Sequence, residues 1–382
     1  LVEIADEWFG EAVWAGRFSD GDFDQTDIIA GSGGRIRGDR VTFVSSGSTV
    51  DRLQRVPRPD GSVWISNSLV CLVAALDASV DPAYASYGSD FLTVMRGLSQ
   101  YKRHLPSSMG NVEFTYFDNL VWNGTECVVV TKPEVDVPAT CFAAYRDFLR
   151  DSLRQMVENA NDPSRSVPFE ILNTISSGYD SPTVAALACE LGYRAAISFD
   201  RAQDGEPDDG RVVADHLGIQ LFLIDRDAWR SARGAEIPFI AANAGIDEVH
   251  YYGAEKYLRH KVLLTGYHGD KIWGMHTKNL SSDIVRGDMS GLGQTEFRLM
   301  AGYFHCPVPF WGARRIRHIH ALSNSKELEP WVLPNTRYNR PICRRIVEEA
   351  GAPRDAFGMN KKAAAIYYLD EFLTPESLHD YV

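Results

Sequence analysis

The stretch Ile171-Leu-Asn-Thr-Ile175, then Ser176-Ser177-Gly178-Tyr179-Asp180-Ser181, then Val184-Ala-Ala-Leu-Ala188 decides how this 382-residue chain is read. Ile171, Leu172 and Ile175 form an apolar run that predicts a short buried strand, and Val184 to Leu191 predicts a helix. A small, hydroxyl-rich turn between a strand and a helix N-terminus is an anion site. Its backbone N–H groups point at the ligand, and the helix dipole favours negative charge. Asp180 cannot bind phosphate directly. It makes sense as a ligand for a magnesium ion carried by the phosphate.

Outward from this turn the pattern alternates. Arg194–Phe199 predicts a second strand, Ile219–Ile224 a third and Val262–Thr265 a fourth, with helices over 211–217 and 249–259 between them. Apolar strands alternating with helices imply an α/β fold with a parallel sheet covered on both faces. The 171–175 strand would be central, with a ligand at the carboxyl edge. From about 280 onward the pattern is mainly helical. The residues before about 135 read as a smaller, strand-rich α+β region. Val41–Val44, Val63–Ile65, Val112–Tyr116 and Cys127–Val130 are β-type runs, and 66–76 and 91–101 are helix candidates. Asn123-Gly124 predicts a hairpin turn, whereas Gly31-Ser-Gly-Gly34 lacks a strand–helix context for a phosphate loop and reads as a flexible loop. Lys132–Pro138 is a Pro-punctuated linker, which places the domains at 1–135 and 136–382, and Thr140 is expected to cap a long amphipathic helix reaching Ala160.

The formal net charge of -12 argues against a nucleic-acid partner. No run approaches a membrane span, and no signal peptide is visible. The six cysteines (71, 127, 141, 189, 306, 343) form no C-x-x-C pair. They read as reduced, mostly buried thiols of a cytoplasmic protein. A homo-oligomer is compatible with all of this.

Three segments are expected to converge at the carboxyl edge: the opening turn, the strand end Ser198-Phe199-Asp200, whose backbone can read a base, and Thr265-Gly266-Tyr267-His268-Gly269-Asp270. Two carboxylates plus substrate phosphates is the usual way Mg²⁺ is held, so Asp180 and Asp270 are placed to share one or two ions.

The two loops resemble the paired motifs of the asparagine synthetase-type ATP pyrophosphatases, the PP-loop superfamily. That family reads S-G-G-x-D-S and then G-x-G-x-D-E-x-x-G-G. This chain reads Ser176-Ser-Gly-Tyr-Asp-Ser181 and Gly266-Tyr-His-Gly-Asp-Lys-Ile-Trp-Gly274. Either motif alone is weak; the pair, in order and after strands, is fairly specific. The resemblance covers roughly 140–370 and is strongest from 171 to 274. It implies an adenine nucleotide alpha hydrolase-like synthetase domain with a helical C-terminal part, preceded by a worn glutaminase-like (Ntn-type) domain. ATP and Mg²⁺ are implied, with Asp180 and Asp270 as metal ligands. Ser176, Ser177, Gly178, Ser181, Ser198, Phe199, Thr265 and Gly266 would hold the nucleotide. The implied reaction joins a small-molecule or peptide carboxylate to an amine, with AMP and pyrophosphate released.

Several positions depart from the family. Ser177 stands where Gly is usual, and requires a backbone with φ < 0 or some strain. Lys271 replaces a Glu, and Met275 a Gly. Tyr267 is similar to the Tyr that β-lactam and carbapenam synthetases pair with a Glu to deprotonate the nucleophile. Glu296 is the partner suggested by distance along the chain, and Tyr267 reads equally as a pocket wall. Arg340 takes the place of a Lys that stabilises adenylation, and Lys361 or Lys362 either contacts phosphate or lies on a solvated helix face. His268 either meets substrate or makes a structural hydrogen bond. His305, Cys306, His318 and His320 fit no standard zinc spacing. Glutamine-dependent relatives begin with a nucleophilic Cys, whereas this sequence starts at Leu1 and first has Cys71. The expected amine is therefore another substrate or part of the same molecule, as in lactam synthetases and lasso peptide cyclases. The alternatives are a catalytically degenerate nucleotide-binding relative and, disfavoured by the acidic charge, a sulfur-transfer or tRNA-modifying enzyme.

Overall fold

A computed structural model describes residues 2–81, 83–231, 237–243 and 247–365; the remainder of the second expected domain, 366–382, lies outside the described residues. The first half is antiparallel. Its strands are β1 (Glu3–Ile4), β2 (Trp8–Trp14), β3 (Ile29–Arg37), β4 (Arg40–Val44), β5 (Arg52–Pro57), β6 (Val63–Ser66), β7 (His104–Ser107), β8 (Gly110–Tyr116), β9 (Asn119–Trp122) and β10 (Cys127–Val130). They form a six-stranded sheet ordered β1-β2-β3-β4-β9-β10 and a four-stranded sheet ordered β6-β5-β8-β7. Successive side chains of a strand face opposite ways. Trp8, Ala12 and Trp14 of β2 accordingly enter one apolar cluster while Val13 enters the other.

Gly31-Ser-Gly-Gly34 is not a loop but the middle of β3. A Cβ on Gly31 would sit 2.1 Å from the Glu11 carbonyl oxygen, and one on Gly34 would sit 2.5 Å from the Phe9 ring. The glycines are there because β2 lies too close for side chains, a reason that local composition cannot display. The helix expected over 91–101 is instead Tyr87–Leu92 followed by a 3₁₀ turn, Thr93–Arg96, which ends at Gly97 with φ of 107°.

The linker leads into the helix Phe142–Ala160. Cys141, not Thr140, is its cap residue, and no side chain of its own caps it; the Glu327 carboxylate accepts from the Phe142 amide at 3.1 Å. The parallel sheet follows, with β11 (Glu170–Thr174), β12 (Ala195–Phe199), β13 (Gln220–Ile224), β14 (Lys261–Thr265) and β15 (Phe304–Pro307) in the order β13-β12-β11-β14-β15. All four pairings are parallel, and β11 is central, as expected. Ile171 and Val262 pack into one cluster and Leu172 and Leu263 into the other, so both faces are covered. β15 lies in the region expected to be helical. The helix expected over 249–259 is instead 3₁₀ over Val249–Ala254 and α only over Glu255–Leu258.

One apolar cluster runs without a break from Val13 and Phe114 of the first half to Ile171 and Leu264 of the second. Arg298 bridges the halves through Glu11 and Asp51, each at 2.9 Å. All six cysteines are free thiols. Only Cys189, Cys306 and Cys343 are buried, fewer than expected, because Cys71 and Cys141 lie on exposed helix-end surfaces. Among the described residues no helix is long and apolar enough to cross a membrane.

Candidate active site

Because β11 and β14 are neighbours in register, with Asn173 opposite Leu264, the loops that follow them leave the carboxyl edge side by side. Two glycines let them touch. A Cβ on Gly266 would lie 2.4 Å from the Asp180 carbonyl carbon, and one on Gly269 would lie 2.5 Å from the Asp180 carboxylate carbon. The helix Asp180–Glu190 begins at this contact. Together the loops, the end of β12 and the segment 361–365 enclose a cavity of about 200 Å³.

Most of the expected residues line it: Ser176, Gly178, Asp180 and Ser181 from the first loop, Ser198 and Phe199 from β12, and Gly266, Tyr267 and Asp270 from the second loop. Arg340, Lys361 and Lys362 line it from the C-terminal part. Three do not. The Ser177 amide and hydroxyl both donate to Asp208 Oδ1, at 3.0 and 2.5 Å, so one loop N–H is already committed. Ser177 is also absent from the residues with positive φ, so its replacement of a glycine brings no left-handed strain. Thr265 lies behind the wall, its hydroxyl 2.9 Å from His305 Nε2. Glu296 is far from the role expected of it. It accepts from the Ser68 hydroxyl at 2.7 Å and the Leu69 amide at 2.8 Å, and so holds the helix Leu69–Ala75 of the first half. The Tyr267 partnership failed for Glu296 because spacing along a chain does not encode which loop folds beside which.

Six carboxylates (Asp180, Asp208, Asp247, Glu248, Asp270, Asp288) face three cations (Arg340, Lys361, Lys362) around the cavity. Burial pushes the Asp180 carboxyl up to about 6; Arg340 opposes the shift and Asp270 adds to it. The Arg340 guanidinium donates to Asp180 Oδ2, while Asp180 Oδ1 is sealed from solvent with no hydrogen-bond partner. Lys361 Nζ stands 3.6 Å from Asp270 Oδ2, and Lys362 donates to the Pro207 carbonyl at 2.7 Å. Such a donor set, carboxylate oxygens on a wall too acidic to take a polyphosphate without cations, fits a hard cation. Among the described residues no group of three or more His, Cys, Asp or Glu is arranged to hold a metal by itself.

On the other side, Tyr267 and Tyr251 share a hydrogen bond of 2.8 Å between hydroxyls. Burial pushes both phenols above their ordinary range, so both are protonated at neutral pH. The carboxylate here is Glu248, which sequence reading passed over; its only local signal is the acidic pair Asp247-Glu248 ahead of an apolar run. Glu248 is 2% exposed and accepts from the Gly291 and Gly293 amides, the latter at 2.8 Å. Burial, reinforced by Asp247, holds its carboxyl well above the usual range, and those amides oppose the shift. His268 lines the cavity with φ of 74°, its ring stacked 4.6 Å from Phe310.

No protein-family model matches the chain, and no curated protein matches it.

Proposed function

We propose that the chain is an ATP- and Mg²⁺-dependent, AMP-forming amide synthetase of the PP-loop type. The observation that carries this reading is the meeting of Asp180 and Asp270 on one cavity wall, at the carboxyl edge of a parallel sheet, through two loops whose glycines permit the contact. Bound Mg²⁺ would supply charge neutralisation and alignment of the phosphates, held by Asp180 and Asp270.

The chain's own groups have the following parts. The N-terminus of the helix Asp180–Glu190 faces the phosphates. Arg340, 5% exposed, supplies a permanent positive charge beside Asp180, where charge builds up as a carboxylate oxygen attacks the α-phosphorus and pyrophosphate leaves. The amine then attacks the acyl carbon and AMP leaves. The proton lost by the amine needs a base. A protonated phenol cannot be one, so Glu248, whose ionised form the Gly291 and Gly293 amides favour, takes the proton and Tyr267 orients the amine. The acidic patch around Glu248 also suits an amine that arrives as an ammonium ion.

A second reading, a nucleotide-binding relative without turnover, draws on Ser177, whose amide is spent on Asp208. Incubating the protein with ATP, Mg²⁺ and a panel of amino-carboxylates tests the two. Pyrophosphate and AMP in equal amounts support the synthetase. Binding of ATP with neither product across the panel favours the sensor. A product one water lighter than a single substrate identifies cyclisation, and a product joining two substrates identifies ligation.

A further inference from the structure

The acidic end of the cavity is formed by a stretch of chain that the first half holds from behind. Asp288 and Ser290, between β14 and β15, line the cavity together with Tyr267 and Glu248. Gly291 and Gly293 follow directly, and it is their amides that donate to the Glu248 carboxylate. Residues 273–294 belong to no helix or strand. Regular backbone hydrogen bonding therefore does not fix this wall, and its partners must come from elsewhere. Among the described residues none before Thr174 lines the cavity, so whatever the first half contributes acts from behind the wall.

The first half supplies those partners. The Asp283 carbonyl accepts from the Leu98 amide at 2.8 Å, and its carboxylate accepts from the Ser99 amide and hydroxyl at 2.8 and 2.7 Å. The Arg286 amide donates to the Met95 carbonyl at 3.0 Å. Arg286 is itself buried, and its guanidinium donates to the Thr49 hydroxyl at 3.2 Å, to the Asp288 carbonyl at 3.1 Å and to the Ser290 carbonyl. One planar fork thus ties two carbonyls of the wall to a side chain of the first half, a geometry that an ammonium group does not reproduce. Val50, next to Thr49, backs the same turn. A Cβ on Gly291, whose φ is 90°, would lie 2.6 Å from Val50 Cγ1 and 3.2 Å from Tyr267 Cδ2. The Val50 carbonyl accepts from the Thr295 hydroxyl at 3.0 Å. The Gly291 turn is therefore pressed between the first half and Tyr267. The Arg286 charge also favours the ionised form of Glu248.

We propose that Arg286 is a positioning residue: through Thr49 it lets the first half hold the 288–293 wall, and with it Glu248, in the geometry that the amide-forming step needs. This rests on the synthetase reading above and gives the first half a part in one step of the reaction. Asp180 and Arg340, which serve the attack on the α-phosphorus, are joined to each other and make no bond to this wall. A small displacement of the wall misplaces the base for the amine, and misplacement by about 1 Å can cost a step up to about 10²-fold.

The test compares the intact wild type with T49V, R286M and R286K in two measurements. Hydrogen exchange read by mass spectrometry follows the 286–293 backbone. Incubation with ATP, Mg²⁺ and the amino-carboxylate panel gives amide product and, separately, the first-turnover rate of pyrophosphate release. T49V removes one hydroxyl and keeps the volume. It is expected to raise exchange over 286–293 by about 3–10-fold. Amide formation should fall by about 10-fold, with first-turnover pyrophosphate release within about 2-fold of wild type. R286M is expected to exceed T49V in both respects, and R286K to recover part of the loss; T49V serves where R286M does not fold. Three results overturn the role of Arg286 and leave the synthetase reading intact. They are unchanged exchange in T49V, an equal fall in amide formation and pyrophosphate release, and wild-type amide formation from a loosened wall. A wild type that makes no amide across the panel overturns the synthetase reading itself, and this inference with it.

Discussion

Lys132 in the first half and Asp180 at the parallel sheet are both charged groups drawn out of water, and burial pushes each toward neutrality, Lys132 down to about 7 and Asp180 up to about 6. Their surroundings differ. Lys132 is 1% exposed and donates to the Ser45 carbonyl at 2.9 Å and to Asn119 Oδ1 at 2.6 Å, away from the cavity. Asp180 borders the cavity with Arg340 on one oxygen and nothing on the other. The first half spends its buried charge on its own backbone. The second sets it on a cavity wall against Arg340. Arg298 extends the contrast: it is closed off by Glu11 and Asp51 and ties the halves together without reaching the cavity.

If the contrast is right, charge removal has separable consequences. Asp180→Asn and Asp270→Asn should each lower pyrophosphate release by about 10³-fold with far-UV circular dichroism unchanged, since they remove ligands rather than packing. Arg340→Ala should lower it by about 10²-fold, with Arg340→Lys keeping part of the rate, because a point charge replaces a planar fork. Retention of full rate by either set would place the buried charge of the second half in the same structural category as that of the first.

The two glutamates sharpen the comparison further. Glu248→Gln should lower amide formation by about 10²-fold, while pyrophosphate release with the carboxylate alone persists. Glu296→Gln should leave turnover intact and lower unfolding free energy by about 1–2 kcal/mol, because it holds only Ser68 and Leu69 across the halves. Denaturant titration beside product assays separates them.

The smallest effect concerns Lys132. Between about pH 7, its folded value, and its ordinary value of 10.5, the unfolded chain binds the proton and the folded chain does not. Stability contributed at this site therefore rises with pH, by at most about 1.4 kcal/mol per unit. Lys132→Met removes that slope, so the variant-minus-wild-type difference in unfolding free energy should fall as pH goes from 7 to 9. A flat difference would mean that Lys132 is charged in the fold.

Much of the second half was legible in the sequence because β11, β12 and β14, covered on both faces, and the edge strand β13 all read as apolar runs; each lies within a residue of the expected bounds. β15 escaped because Phe304-His-Cys-Pro307 has no such run and owes its strand form to pairing with β14. The glycines of β3 misled for a related reason: they answer to the neighbouring strand, not to a turn. In the site, Asp180, Gly266 and Asp270 were visible because their spacing follows strands. Glu248 was not, since its place on the cavity wall with Tyr267 depends on the 288–293 segment that grips it.

The most direct test of the central claim is calorimetric titration of the intact protein with ATP, with and without Mg²⁺, alongside Asp270→Asn. The account expects one ATP bound per chain only when Mg²⁺ is present, and binding at least about 10-fold weaker in the variant. Absence of ATP binding with Mg²⁺, or equal binding by wild type and Asp270→Asn, would contradict it.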